Sequence, residues 1–421
     1  MYRNIGLAEF REWAGGKGNF SNMPSYDNFK KAASIAKIYN DSWGYKTSIG
    51  NIMNGFFNER DSESSKDSVH YYANLLLSYA AENNNLVVEE FTQRKLGSFY
   101  LYSDTHRNKK KAQYYFNKSY ELIEYQSIEN QIWIYDALNQ SLDNVYEKIN
   151  NENKKIILSE NIHTNWDLVW SLINLAELYS YPLTNFDEAY ETFNKAYSYK
   201  SMLHDFRKEE VRINIGLGDI YFFQGDYIKA LELYKKAESF GLLSDWYNYE
   251  RYAKMGGAYH YLKDYVTAED YFSKSMDYIT YSSVIPDDIP TYTLYLLNEL
   301  KLGHIISSSE KLKNPFDQIF TDKENITINQ LANYLLSIDL NELEGLVIDQ
   351  ELFLIYYNLY NIYILENNSI ISKQLIDRAY NEVLDQASKL NQIDRERFLD
   401  ENKLVSMIIS EWKKVNSSGI N

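Results

Sequence analysis

The sequence predicts an all-α protein, an α-solenoid of antiparallel helix pairs. Three observations predict it. Leu, Ile, Glu, Lys, Asn and Tyr dominate while Val is sparse, and without β-branched alternation this mixture suits helices over strands. Small residues recur among aromatics at helical intervals, as in "INIGLGDIYFFQGDYIKALELYKKAESF" (213–240). The prolines (Pro24, Pro182, Pro286, Pro290 and Pro315) each fall where a helix is expected to begin or end on other grounds.

Leu217, Gly218 and Tyr221 share one face of a first helix in that stretch. "QGDY" breaks it, and Gly225 supplies the positive φ that a helix C-terminus commonly needs. Ala230, Tyr234 and Ala237 then form the stripe of a second helix. Two antiparallel helices interlock when large residues of one meet small residues of the other. Gly218, Ala230 and Ala237 supply the holes; Tyr221 and Tyr234 supply the knobs.

This spacing resembles the tetratricopeptide repeat, whose signature runs small residue, Tyr, Ala, aromatic, Ala. The ladder recurs upstream at Ala176, Tyr179, Ala189, Phe193 and Ala196, and downstream at Gly256, Tyr259, Ala268, Phe272 and Ser275. It appears further back at Gly97, Tyr100, Ala112, Phe116 and Ser119. A degraded copy keeps Tyr363 and Ala379, with Ile376 in the aromatic's place. Ala176 to Gly218 is 42 residues and Gly218 to Gly256 is 38, against a standard period of about 34. Stretched repeats of this kind resemble bacterial Rap and arbitrium-receptor-type peptide sensors. The resemblance implies a right-handed superhelix with a concave groove.

Composition bounds the function. A chain of 421 residues with 45% apolar content can bury a sizeable core. Cysteine is absent, which rules out disulfides, thiolate metal sites and cysteine nucleophiles. The formal charge is −16, from 43 basic against 59 acidic residues, so a phosphate backbone meets net repulsion and no nucleic-acid partner is expected. "MYRNIGLAEFREWAGGKGNF" lacks the apolar core of a signal peptide, and no window approaches the roughly 20 apolar residues of a membrane span. A soluble, cytoplasmic, membrane-free protein is expected.

Three regions are expected: 1–66, N-terminal helices; 67–281, the good repeats; 282–421, degenerate repeats and a C-terminal helix that caps the stack. "NERDSESSKDS" (58–68) reads as a surface loop, with Asp67 or Ser68 capping the next helix. "NNENKKIILSENIHTN" (150–165) reads as a loop joining two sub-arrays.

Signals for catalysis are scarce. The six histidines are dispersed, with no pair at metal-ligand spacing, and there is no H-E-x-x-H, G-x-S-x-G or Walker A. "AGGKGNF" (14–20) lacks the Ser or Thr of a phosphate loop and reads as a flexible loop. Asp287 and Asp288, between prolines, read as solvated turn residues, and "HRNKKK" (106–111) as a hydrated surface. A non-enzyme with no cofactor and no metal is expected.

The family resemblance places first-helix positions beside the packing ladder on the concave groove. Here they are Trp170, Ile173, Glu177 and Tyr181; then Arg212, Ile215, Asp219 and Phe223; then Glu250, Ala253, His260 and Tyr261; and upstream Arg94, Ser98 and Tyr102. The carboxylate-binding Lys and Asn of the family's chaperone-binding members are missing at Ile173, Glu177, Ile215, Asp219, Ala253 and Gly257. The expected partner is a protein or peptide segment with apolar anchors and a basic or free-amine group, held by Arg94, Tyr102, Trp170, Glu177, Arg212, Asp219, Phe223, Glu250, His260 and Tyr261. Homodimerisation is left open. Two alternatives stand beside this scaffold: a peptide-signal receptor acting through a protein partner, and a toxin- or defence-system component with an unrecognised enzymatic activity.

Overall fold

In the computed structural model of the protein the described residues are 22–57, 62–103, 106, 108–241, 245–278, 288–303, 312–313, 325–326, 352–365 and 367–417. They are helical but for turns and one antiparallel pairing of Leu312–Lys313 with Asn325–Ile326. The stretch 14–20 and Asp287 lie outside the described residues. No helix among the described residues is long and apolar enough to cross a membrane.

The chain divides into two compact units, Met1–Asp143 and Asn144–Asn421. Packing thus groups the elements differently from the three regions expected by repeat character.

The first unit holds α1 (Pro24–Ile38), α2 (Ser42–Phe57), α3 (Ser62–Glu82), α4 (Leu86–Tyr102), α5 (Lys109–Tyr120) and α6 (Ile128–Ser141). Helix α3 begins at Ser62, so the polar run expected to be a loop capped at Asp67 or Ser68 is largely its first two turns.

The second unit opens with α7 (Val145–Asn161), α8 (Asn165–Ser180), α9 (Phe186–Ser198), α10 (Arg207–Gln224), α11 (Tyr227–Glu238), α12 (Asp245–Tyr261), α13 (Tyr265–Met276) and α14 (Asp288–Lys301). It ends with α15 (Leu352–Leu365), α16 (Ser369–Ser388), α17 (Gln392–Asp400) and α18 (Lys403–Ser417). Helix α7 corrects the loop expected at 150–165. The Asn144 side chain accepts from the amides of Tyr146 and Glu147 and starts the helix. Its buried face mixes Ile156 with an ion pair, Lys155 Nζ to Glu152 Oε2 at 2.8 Å.

The helix pairs interlock as the ladder predicts. Gly218 lies against the Tyr234 ring, and a methyl carbon placed on Gly97 or Gly256 would stand 2.5 and 2.7 Å from the rings of Phe116 and Phe272. Ala176, Phe193, Ala230, Tyr234, Ala268 and Phe272 are all fully buried, and so are Ile376 and Ala379 of the degraded pair α15/α16. Gly216, outside the ladder, receives the Phe193 ring of the preceding pair. Close approach inside a pair and between pairs therefore uses separate glycines. Tyr221 stays partly exposed at the edge of this core.

One turn closes successive pairs. Gly225 takes φ 83°, the Asp226 amide donates to Tyr221 O (2.8 Å), and the Asp226 side chain accepts from the Lys229 amide. Lys263 repeats that geometry at φ 66°, with the Asp264 amide on Tyr259 O (3.0 Å) and the Asp264 side chain on the Thr267 amide. A left-handed backbone costs a side-chain-bearing residue roughly 1–2 kcal/mol that glycine avoids. Lys263→Gly is expected to raise the unfolding free energy by about 1 kcal/mol, read as a higher urea midpoint.

Helix α15 packs on α14, where Asn358 Nδ2 donates to Pro290 O (3.3 Å) and Thr293 Oγ1 (3.1 Å). The helices after it fold back onto α8 and α10. Leu404 joins the core of Leu172, Ile173, Ile220 and Phe223. The Tyr181 hydroxyl donates to Gln386 Oε1 (3.0 Å), and Tyr146 donates to Asp394 (2.8 Å) while accepting from the Asn391 amide (2.9 Å).

Candidate functional site

The first helices α8, α10 and α12 stand side by side in the second unit, and a ladder of charges crosses them. The Arg212 guanidinium on α10 binds Glu177 of α8 through Nε (2.5 Å) and Nη2 (3.0 Å), and Glu250 of α12 through Nη1 (2.7 Å). Two turns further along α10, Asp219 accepts from Lys254 Nζ (3.0 Å) and from the Tyr234 hydroxyl (2.6 Å). Trp170 donates its indole N–H to Glu209 (2.9 Å), and Trp166 packs on Trp170 at a centroid distance of 5.9 Å. Trp166 is 56% exposed.

Burial alone would lower the Arg212 guanidinium, but Glu177 and then Glu250 outweigh it and hold it well above its ordinary value. The pairing is partly screened, since Arg212, Glu177 and Glu250 keep 24%, 30% and 16% of their side-chain surface. Removing one partner of a sealed pair costs roughly 3–5 kcal/mol. With this exposure Arg212→Met is expected to cost about 2 kcal/mol. Adding Glu177→Gln should restore part of the urea midpoint, because the excess negative charge goes with it.

The ten residues expected to hold a partner separate into four situations. Trp170, Glu177, Arg212, Asp219 and Glu250 are brought together on α8, α10 and α12. Arg94 and Tyr102 belong to the first unit, where Arg94 pairs with Glu90 (2.8 Å) and Tyr102 donates to Gln140. Phe223 is buried with Leu404 of the C-terminal helices and stacked on Tyr181 at 5.4 Å; Phe398 meets Tyr181 edge-on at 6.3 Å. His260 is buried against Tyr265 and Asn298, and Tyr261 stacks on Tyr227 at 5.2 Å. Ile173 and Ile215, placed on the groove by the resemblance, are buried in the cores as well.

The three acids expected to meet a basic group already hold cations: Glu177 and Glu250 share Arg212, and Asp219 holds Lys254. The sequence reading missed Lys254 and Trp166. Both sit four residues from a chosen position, Glu250 and Trp170, so the helical i, i+4 register would have found them. Among the described residues no group of three or more His, Asp or Glu side chains is placed to hold a metal ion.

No curated protein matches the chain. Solved structures that align with it include the apo form of the quorum sensor NprR from B. thuringiensis, at 12% identity and a TM-score of 0.44, covering 89% of this chain and 99% of that one. The P58(IPK) TPR domain aligns at 8% identity and a TM-score of 0.22, over 92% of this chain and 98% of that one. Residues 167–240 match the tetratricopeptide repeat family model. That stretch spans α8 to α11, the two helix pairs whose rings Phe193 and Tyr234 seat on Gly216 and Gly218. In both sequence and packing, residues 167–240 are tetratricopeptide repeats.

Proposed function

We propose that the chain is a non-catalytic scaffold that holds a protein or peptide segment along the first-helix face of its repeats. The observation that carries this reading is Trp166, more than half exposed beside Trp170, on a face whose charges are otherwise paired across three consecutive repeats. Large amphipathic rings on a pre-ordered surface anchor apolar side chains at small entropic cost. The paired ladder fixes the spacing of the helices and leaves no spare acid among Glu177, Asp219 and Glu250, so anchoring falls to the indoles. A short free peptide fits the same face as a loop or tail of a larger protein does.

The test compares immobilised wild type with Trp166→Ala on lysate of the source cell. A species held by wild type and lost by the variant, with unchanged thermal unfolding, supports the reading, and its mass separates peptide from protein. Equal recovery by both, or none by either, contradicts it.

A further inference from the structure

A second constellation lies in the first unit, outside the face just described. On α2, Lys46, Gly50 and Asn54 are four residues apart and share one side of the helix. The Phe91 ring of α4 rests on Gly50, where a methyl carbon would stand 2.6 Å from Cζ. Three cations surround this ring: Lys46 Nζ at 5.4 Å, Lys95 Nζ at 5.7 Å and the Arg94 guanidinium carbon at 5.9 Å from its centroid. Arg94 also lies over Trp133 of α6 at 5.7 Å.

One carboxylate answers these three charges. Glu90, fully buried, takes Arg94 Nε at 2.8 Å and the Ser119 hydroxyl at 2.9 Å on the same oxygen. Lys95 Nζ is held by the neutral Asn54 amide at 2.9 Å. Lys46 has neither a hydrogen bond nor an ion pair, and among the described residues no second carboxylate lies within ion-pair distance of the three. Burial, and then the Arg94 charge, push the Lys95 ammonium down to about 8. Burial also lowers Lys46, with Glu90 opposing and Arg94 adding to the effect.

In a chain of net charge −16 this local excess of two positive charges does not follow from composition. Like charges gathered at low exposure are unfavourable until an anion joins them. We propose that Lys46, Arg94 and Lys95, gathered around Phe91, bind a compact dianion of the phosphate type. Its charge matches the excess, and its several oxygens can accept from three separate donors at once. Source is left to the probes: free phosphate, or a phosphomonoester whose organic part adds contact with Phe91 and Trp133.

The experiment is calorimetric titration of the full chain at low, matched ionic strength with inorganic phosphate, phenyl phosphate and acetate. Saturable phosphate binding is expected, weakened about tenfold in Lys46→Met by the loss of one charge-assisted contact. That variant breaks no hydrogen bond or ion pair, so its thermal unfolding should match wild type or exceed it; Lys95→Met should weaken binding as well. Tighter binding of phenyl phosphate would identify a phosphomonoester as the ligand, and equal binding would identify free phosphate. Acetate binding as well as phosphate, phosphate binding unchanged in both variants, or no phosphate binding would each overturn the assignment.

Discussion

Tyr234→Ala is expected to lower the unfolding free energy by about 4 kcal/mol, the range for truncating a fully buried aromatic side chain. Tyr234 has no exposed surface, and its ring fills the notch at Gly218 in a core with Val211, Ile215 and Met255. Its hydroxyl donates to Asp219, an acceptor that also takes Lys254 of α12. Truncation therefore opens a cavity between α10 and α11 and removes one support of the charge ladder. The check is urea unfolding followed by circular dichroism; an unchanged midpoint would refute the interlock. The reciprocal change sharpens it. Gly218→Ala drives a methyl group into the same ring and should cost about 1–3 kcal/mol by overpacking. Combined with Tyr234→Leu, whose side chain is smaller there, it should cost less than the sum of the single changes.

That interlock was legible in the sequence because it is local. Gly218 and Tyr234 lie 16 residues apart across one tight turn, and glycine or alanine at helical spacing opposite an aromatic marks a place where two helices approach closely. The Gly225 turn was legible for the same reason. Helix α7 was not. Its buried face carries Glu152, Lys155 and Ser159 among its apolar residues, so the apolar stripe that marks an amphipathic helix is interrupted. The fold-back of α16 to α18 leaves no local trace either, since Tyr146 meets Asp394 across most of the second unit.

At the candidate site, the resemblance singled out residues that α8, α10 and α12 bring together but could not assign their charge partners. Whether Glu177 is open to a ligand or spent on Arg212 depends on the offset between adjacent helices, which helical spacing within either one does not encode. Phe223 and His260 were expected in the groove because their register is right. Residues far along the chain cover the first, and packing between repeats encloses the second.

The enclosure of His260 gives the second large effect, a loss of stability in mild acid. Asn298 Nδ2 donates to Tyr265 O (2.9 Å), which turns its Oδ1 toward His260 Nδ1 at 3.1 Å. The neutral imidazole therefore carries its proton on Nδ1 and donates it to Asn298. Burial, opposed by that hydrogen bond and aided by the Lys301 charge, pushes the imidazole down to about 4 from an ordinary value of 6.5. Between these two values the unfolded chain binds a proton that the folded chain refuses. The contribution is thus fully present above pH 6.5 and is lost as pH falls toward 4. At 1.36 kcal/mol for each pKa unit, it amounts to about 3 kcal/mol. The measurement is the urea midpoint across that range for wild type and for His260→Gln, which cannot titrate and can still donate to Asn298. Carboxylates contribute their own slope to both proteins, so the expected result is a difference: the wild type should lose stability more steeply than the variant from pH 6.5 downward. Parallel curves would place His260 in water and return it to the set of residues a partner could touch.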